Sequence, residues 1–135
     1  DYKDAIACSS RQIAQLVAWI QQQDFYANTT VIVTGDHLSM SAEMEKELGG
    51  YSHRRVYNCF LNAAAAPAKT QERVFTAMDM FPTTLAALGL QIEGDRLGIG
   101  TNLFGTRQTL AEELGFEPYE QEIARHSRFF DSLAY

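Results

Sequence analysis

The residues from Thr29 to Thr34 form the most constraining segment of the chain, because all six are β-branched and the central three are apolar. Such a run favours extended backbone and predicts a strand covered on both faces, which is typical of a parallel sheet. Gly35, Asp36 and His37 follow the strand directly. Binding residues of open α/β sheets lie beyond the carboxyl ends of the strands, so Asp36-His37 is the first candidate for function.

Helical and extended patterns alternate around this strand. Ile6, Ile13 and Ile20 recur at helical spacing and predict an amphipathic first helix. The elements expected after the first strand are a strand at 56–62, a helix at 79–88, a short helix at 106–114 and a terminal helix at 118–133. This order predicts an α/β fold with a mostly parallel sheet and flanking helices.

Size and charge narrow the function classes. The 135 residues allow one domain, and 11 basic against 17 acidic side chains give a net charge of −6, which argues against unspecific nucleic-acid binding. No apolar run reaches the length of a membrane span, and the charged start shows no signal-peptide pattern. Cys8 and Cys59 lack metal or redox spacing and are interpreted as structural thiols, with a disulfide as the alternative.

Asp36 and His37 combine a carboxylate and an imidazole on neighbouring residues. Mixed oxygen and nitrogen ligands suit zinc, manganese or a similar divalent ion. The alternative is structural, with the aspartate capping a helix and the histidine occupying a turn. Two ligands also form an incomplete site, since a catalytic metal normally has at least three protein ligands.

A second polar cluster comprises His53, Arg54 and Arg55. Arginine offers a planar donor fork that matches phosphate or sulfate, so the cluster is a candidate anion site. The alternative is a solvated loop or a salt-bridged strand entry, and His126 in the terminal helix is expected to face solvent. No nucleophile elbow, phosphate-binding loop or dinucleotide turn is present, so no catalytic nucleophile is assigned to this chain.

Three segments in order carry a resemblance to a known family: residues 34–40 around Gly-Asp-His, residues 78–85 with the pattern D-x-x-P-T-x-L, and residues 94–104. Together with Tyr2-Lys3-Asp4-Ala5 in the first helix, they resemble the sulfatase-like branch of the alkaline phosphatase superfamily. The third segment is similar to the bacterial phosphoglycerol transferases that modify periplasmic glucans, which are relatives of lipoteichoic acid synthase and of the phosphoethanolamine transferases.

The resemblance implies a mechanism and a set of roles. In that family a threonine bound to a divalent metal attacks a phospholipid head group, and a phospho-threonine intermediate passes the group to a sugar hydroxyl. Asp36 and His37 match the paired metal ligands, with manganese, zinc or magnesium as the metal. His53 resembles a histidine that contacts the substrate phosphate or a second metal, and Arg54 and Arg55 would help bind the anion.

The family's nucleophile and glutamate ligand lie upstream of its Gly-Asp-His motif. We therefore expect residues 1–115 to be the C-terminal part of a sulfatase-like catalytic domain, a partial sandwich, and residues 116–135 to be a C-terminal helix. The resemblance implies an extracytoplasmic, membrane-anchored enzyme with a phospholipid donor and a glycan acceptor, inactive as this fragment. A surface exposed by truncation would favour dimerisation. The alternatives are a sulfatase or phosphoethanolamine transferase fragment, and a non-catalytic structural or binding domain.

Overall fold

The computed structural model describes residues 2–47, 55–68 and 73–133. The helices and strands are α1 (Tyr2–Gln21), β1 (Val31–Thr34), α2 (Ala42–Glu47), β2 (Asn58–Leu61), α3 (Ala77–Ala87), β3 (Arg96–Leu97), β4 (Gly100–Thr101), α4 (Leu110–Leu114), α5 (Phe116–Ile123) and α6 (Arg128–Leu133). Two 3₁₀ turns lie at Asp24–Asn28 and Glu93–Asp95. The chain divides into two compact units, residues 1–64 and 65–135.

The first unit contains α1, α2 and the strand pair β1–β2. The strands are antiparallel, with Val31 opposite Leu61 and Thr34 opposite Asn58. The expected parallel arrangement is therefore not found among the described strands, since β3 and β4 are also antiparallel. An apolar β-branched run indicates how well a strand is covered, but the direction of its neighbour depends on the connection, which the run does not encode.

Asn62 closes the far end of this strand pair. It adopts a left-handed backbone conformation with φ of 55°, which asparagine tolerates better than most residues. Its side-chain amide donates hydrogen bonds to the carbonyls of Tyr26, at 2.8 Å, and Thr29, at 3.0 Å. The Thr30 hydroxyl donates to the Asn62 carbonyl at 3.1 Å. These contacts tie the entry of β1 to the exit of β2.

The helix α2 is absent from the elements that the sequence predicts. The Ser41 hydroxyl accepts a hydrogen bond from Met44 N at 3.3 Å, and Glu45 N donates to the Ser41 carbonyl at 3.0 Å. These are the contacts of a serine N-cap, and serine is one of the residue types that most often start a helix. Cys8 and Cys59 are free thiols, as expected, although Cys8 is exposed rather than buried.

The second unit is organised around α3. The Thr76 hydroxyl and the Asp79 carboxylate form a reciprocal capping box at its start, and the chain leaves it through Gly89 at φ of 89°. The residue types at both ends are those that favour a helix boundary, since threonine and aspartate are common caps and glycine commonly follows the last turn. Such a cap contributes about 1 kcal/mol to helix stability.

The D-x-x-P-T pattern joins α3 to the β3–β4 hairpin. Asp79 is 2% exposed, and its Oδ1 accepts a hydrogen bond from Thr101 N at 2.7 Å. The Thr83 hydroxyl donates to the Asp79 carbonyl at 2.6 Å and accepts from Leu103 N at 3.0 Å. Gly100 permits this approach, because an added Cβ would overlap the Met78 carbonyl. The motif therefore builds the fold of this unit.

A partly buried ion pair holds α4. The carboxylate of Glu112 accepts hydrogen bonds from Thr109 N, completing a capping box, and from Val74 N and Arg73. The side chains of Arg73 and Glu112 are 9% and 14% exposed. Burial raises the pKa of Glu112, but the hydrogen bonds from Arg73, Thr109 and Val74 and the charge of Arg73 outweigh it and hold this pKa below its usual range.

The end of the chain differs from the single helix expected at 118–133. It forms α5 and α6, which are separated by residues 124–127, with Ala124 as the C-cap of α5. Asp131 N donates to the Ser127 carbonyl at 3.0 Å, so Ser127 occupies the N-cap position of α6. Serine competes with helix continuation and favours a new start, which explains the break. Tyr119 of α5 is 4% exposed, and its hydroxyl lies 3.1 Å from that of Thr76.

Candidate metal centre

Asp36 and His37 lie at the end of β1, where the strand pair stops. Gly35 N donates to the Tyr57 carbonyl at 2.8 Å, the last backbone contact of the ladder. A Cβ added at Gly35 would lie 3.2 Å from Val56 Cβ, so the two chains approach closely here. Asp36 is therefore the first residue beyond a short, well-fixed segment of extended backbone.

The Asp36 carboxylate is 89% exposed and its two oxygens have different surroundings. Oδ1 accepts a hydrogen bond from His37 N at 2.9 Å. Oδ2 lies 3.5 Å from Nε2 of His37. The first contact fixes the rotation of the carboxylate, and the second directs its other oxygen toward the imidazole.

The His37 ring, 59% exposed, is oriented by the backbone of the next residue. Its Nδ1 lies 2.8 Å from the Leu38 carbonyl oxygen. A carbonyl can only accept, so Nδ1 carries the proton. In the neutral ring Nε2 is then the nitrogen with the free electron pair. Histidine ligands commonly donate their other ring N–H to a backbone carbonyl, which fixes the tautomer for metal binding.

The two side chains fit two positions of a divalent cation. Nε2 of His37 and Oδ2 of Asp36 are both electron-pair donors, and their 3.5 Å separation resembles the distance of about 3.4 Å between two ligands about 2.1 Å from one tetrahedral ion. Among residues 2–47, 55–68 and 73–133, no group of three or more His, Cys, Asp or Glu side chains could hold a metal. The pair therefore offers two of the ligands that such a cation would need, and fewer than the three protein ligands of a usual catalytic metal site.

The loop after this pair is attached to α1. Tyr2 Oη and Ser39 Oγ lie 2.9 Å apart, and Lys3 forms an ion pair with Glu47 of α2. Tyr2 and Lys3 belong to a sequence motif, but the motif itself indicates no partner for either side chain. No spacing rule connects residues 37 positions apart, so sequence alone offered no signal for this pair.

The other predicted site residues have different outcomes. His53 and Arg54 lie outside the described residues, so their anion-binding role stays a prediction. Arg55 is described and its side chain is exposed. His126 faces solvent as expected, with 82% of its side chain exposed, and its Nδ1 lies 3.2 Å from an Asp131 carboxylate oxygen.

Polar residues outside the predicted sites also stabilise the second unit. Arg96 donates to the Gln108 carbonyl at 2.8 Å and forms an ion pair with Glu113 at 2.7 Å. The hydrogen bonds from Arg96 hold the pKa of Glu113 below its usual range. Arg73 and Glu112 form the neighbouring pair. The T-x-x-E spacing before α4 is the signature of a capping box and could have identified Glu112.

Comparison with known proteins identifies the class to which this chain belongs. The family model described as Sulfatase matches residues 1–90, which include Asp36, His37 and the 78–85 motif. The chain therefore belongs to the sulfatase family, and the resemblance inferred from its motifs is confirmed.

Two curated relatives give a narrower relation. They are Phosphoglycerol transferase I of Xanthomonas euvesicatoria pv. vesicatoria (strain 85-10) and Phosphoglycerol transferase I of Xanthomonas axonopodis pv. citri (strain 306). Each is 31% identical to this chain over 84 residues, which cover 62% of this chain and 12% of the relative. No solved structure matches the chain. None of the helices in the described parts is both long and apolar enough to cross a bilayer.

Proposed function

We propose that this chain is the C-terminal part of a metal-dependent phosphoglycerol transferase, which moves a phospholipid head group to a glycan on the extracytoplasmic face of a membrane. The observation that carries the proposal is the Asp36–His37 pair. It lies inside the sulfatase match, and Nδ1 of His37 donates to the Leu38 carbonyl, which leaves Nε2 to face the carboxylate. The relatives named Phosphoglycerol transferase I favour this substrate class over others in the family.

In this proposal Asp36 and His37 would hold a divalent cation, manganese, zinc or magnesium. Such a cation lowers the pKa of a bound nucleophile and neutralises charge on the transferring group. The Asp36 carboxylate would supply negative charge, and His37 Nε2 a neutral donor fixed in one tautomer. His53, Arg54 and Arg55 would bind the phosphate of the substrate. The nucleophile, a threonine, would precede this segment, so the isolated chain would not turn over substrate.

A sulfatase is the second candidate, favoured by the description of the family model itself. A phosphoethanolamine transferase would share the same metal ligands. The identity of the nucleophile, which would lie upstream of this segment, distinguishes transferases from sulfatases. Transferases would carry threonine, whereas sulfatases would carry cysteine or serine in a C-x-P-x-R context. A non-catalytic role is favoured by one observation: the Asp36 carboxylate accepts a hydrogen bond from the adjacent His37 N and so shapes the local backbone.

The test uses the complete protein that contains this chain, supplied with phospholipid, glucan and Mn²⁺. Asp36→Ala and His37→Ala should each lower phosphoglycerol transfer by about 100-fold or more, since even outer partners of metal ligands cost about 10- to 100-fold. Asp24→Ala, which removes another exposed carboxylate of the same unit, is the matched control and should leave transfer unchanged. Unchanged transfer in the Asp36 and His37 variants would assign the pair to a structural role. Metal-dependent phosphodiester cleavage by the isolated chain would contradict the expected inactivity.

A further inference from the structure

The segment that follows the candidate ligands is held at both ends by the first turn of α1. Tyr2 Oη lies 2.9 Å from Ser39 Oγ, at the start of the segment. The next residue, Lys3, pairs with Glu47 at the end of α2. Two neighbouring side chains of one helix therefore hold the 39–47 segment, one before α2 begins and one at its last residue.

Ser39 adjoins the group that orients the His37 ring. The Leu38 carbonyl, which accepts from His37 Nδ1 at 2.8 Å, belongs to the peptide unit joining Leu38 to Ser39. Because that unit is planar, a constraint on Ser39 also limits the direction of the carbonyl. Ser39 Oγ in addition accepts from Ser41 N at 3.3 Å, so the serine side chain is held from two directions.

We propose that Tyr2 is a positioning residue for the metal-binding nitrogen of His37. Its hydroxyl fixes Ser39, Ser39 fixes the Leu38 carbonyl, and this carbonyl holds the imidazole with Nε2 toward Asp36. Tyr2 itself contacts neither metal nor substrate. The inference rests on the proposed function, in which Asp36 and His37 hold a divalent cation.

The first measurement is Mn²⁺ affinity of the complete protein, followed by electron paramagnetic resonance of free Mn²⁺. Tyr2→Phe removes one oxygen and should raise the Kd for Mn²⁺ about 3- to 10-fold. Loss of a group that hydrogen-bonds directly to a metal ligand lowers metal affinity about 10- to 100-fold, and Tyr2 acts on such a group only through Ser39. Tyr26→Phe is the matched control. Tyr26 contributes its backbone carbonyl to the contact with Asn62, and this substitution should leave Kd unchanged.

The second measurement separates positioning from a general loss of structure. With Co²⁺ in the site, the visible absorption bands report the ligand geometry, and Tyr2→Phe should shift them while the unfolding midpoint of the metal-free protein stays constant. Ser39→Ala is an independent variant. Since the two hydroxyls make one interaction, the double variant should bind Mn²⁺ no more weakly than Ser39→Ala alone.

Several outcomes would overturn this assignment. A wild-type Kd and an unshifted Co²⁺ spectrum in Tyr2→Phe would remove the role of the hydroxyl. A fall in metal-free stability that accounts for the weaker binding would make Tyr2 structural. Failure of the proposed function would look different, because Asp36→Ala and His37→Ala would then bind Mn²⁺ as the wild type does.

Discussion

The two units of the chain bury their residues to very different degrees. In residues 2–47 and 55–64 every described residue is at least partly exposed, whereas the second unit contains all the fully buried side chains described. Asp36 and Asp79, the aspartates of two sequence motifs, show the same contrast, with Asp36 89% and Asp79 2% exposed. The carboxylate of Asp79 is occupied by backbone donors that shape the fold. The carboxylate of Asp36 is open to solvent, and its Oδ2 lies 3.5 Å from Nε2 of His37.

The contrast has an energetic consequence. A buried donor or acceptor that loses its partner costs about 1–3 kcal/mol, whereas a group open to water replaces the lost partner with solvent. Substitutions of motif residues in the second unit should therefore lower the free energy of unfolding. Substitutions of Asp36 and His37 in the first unit should instead weaken metal binding. Substitutions at equivalent residue types in the two units test this division directly.

The largest effect is expected at Asp79. Asp79→Ala removes the acceptor of Thr101 N at 2.7 Å and that of Thr76 N at 2.8 Å, and it breaks the capping box of α3. We expect the free energy of unfolding to fall by about 3 kcal/mol, the sum of an unpaired buried amide and a lost cap. Urea denaturation followed by circular dichroism measures this loss.

Asp79→Asn is the graded control for that experiment, because it keeps one carbonyl oxygen and should lose less stability than the alanine variant. Amide hydrogen exchange locates the effect, since Thr101 N and Leu103 N should lose protection while β1 and β2 exchange as before. Loss of protection throughout both units would contradict the division between them.

The sequence predicted the elements whose signals are local. The helix at 79–88 and the strand at 29–34 appear as α3 and β1, because caps, terminating glycines and β-branched runs act over a few residues. The antiparallel pairing of β1 with β2 could not be read in the same way, since strand direction depends on long-range topology. The same distinction applies to the candidate site. Asp36 and His37 are adjacent and could be predicted as a pair, whereas the Tyr2–Ser39 contact spans 37 positions and could not.

A moderate, pH-dependent effect is expected at Glu112. Burial raises its pKa, but hydrogen bonds from Arg73, Thr109 and Val74 and the charge of Arg73 bring it below the usual value of about 4.3. A lowered folded-state pKa contributes stability that is present above about pH 4.3 and lost as pH falls through the folded value. Glu112→Gln should cost about 2 kcal/mol at neutral pH and flatten the acid side of the stability curve.

Unfolding free energies at a series of pH values from neutral to about 3 measure both parts of this expectation. Glu120→Gln, an exposed glutamate on α5, is the matched control and should leave the curve nearly unchanged. A Glu112 variant whose stability falls with acid as steeply as the wild type would show that the Arg73 contact does not set the pKa.

The smallest effect on stability is expected at Asp36, although this residue is one of the two proposed metal ligands. Its carboxylate is exposed and its one described hydrogen bond within the fold joins it to the adjacent His37 N, so Asp36→Ala should change the unfolding free energy by less than about 0.5 kcal/mol. The measurement is the same urea titration, made on metal-free protein beside Asp79→Ala. A loss comparable to that of Asp79→Ala would mean that the exposed aspartate holds the fold and would remove the physical distinction between the two motifs. An unchanged unfolding free energy combined with weaker Mn²⁺ binding would show that the Asp36 carboxylate serves binding, whereas that of Asp79 stabilises the fold.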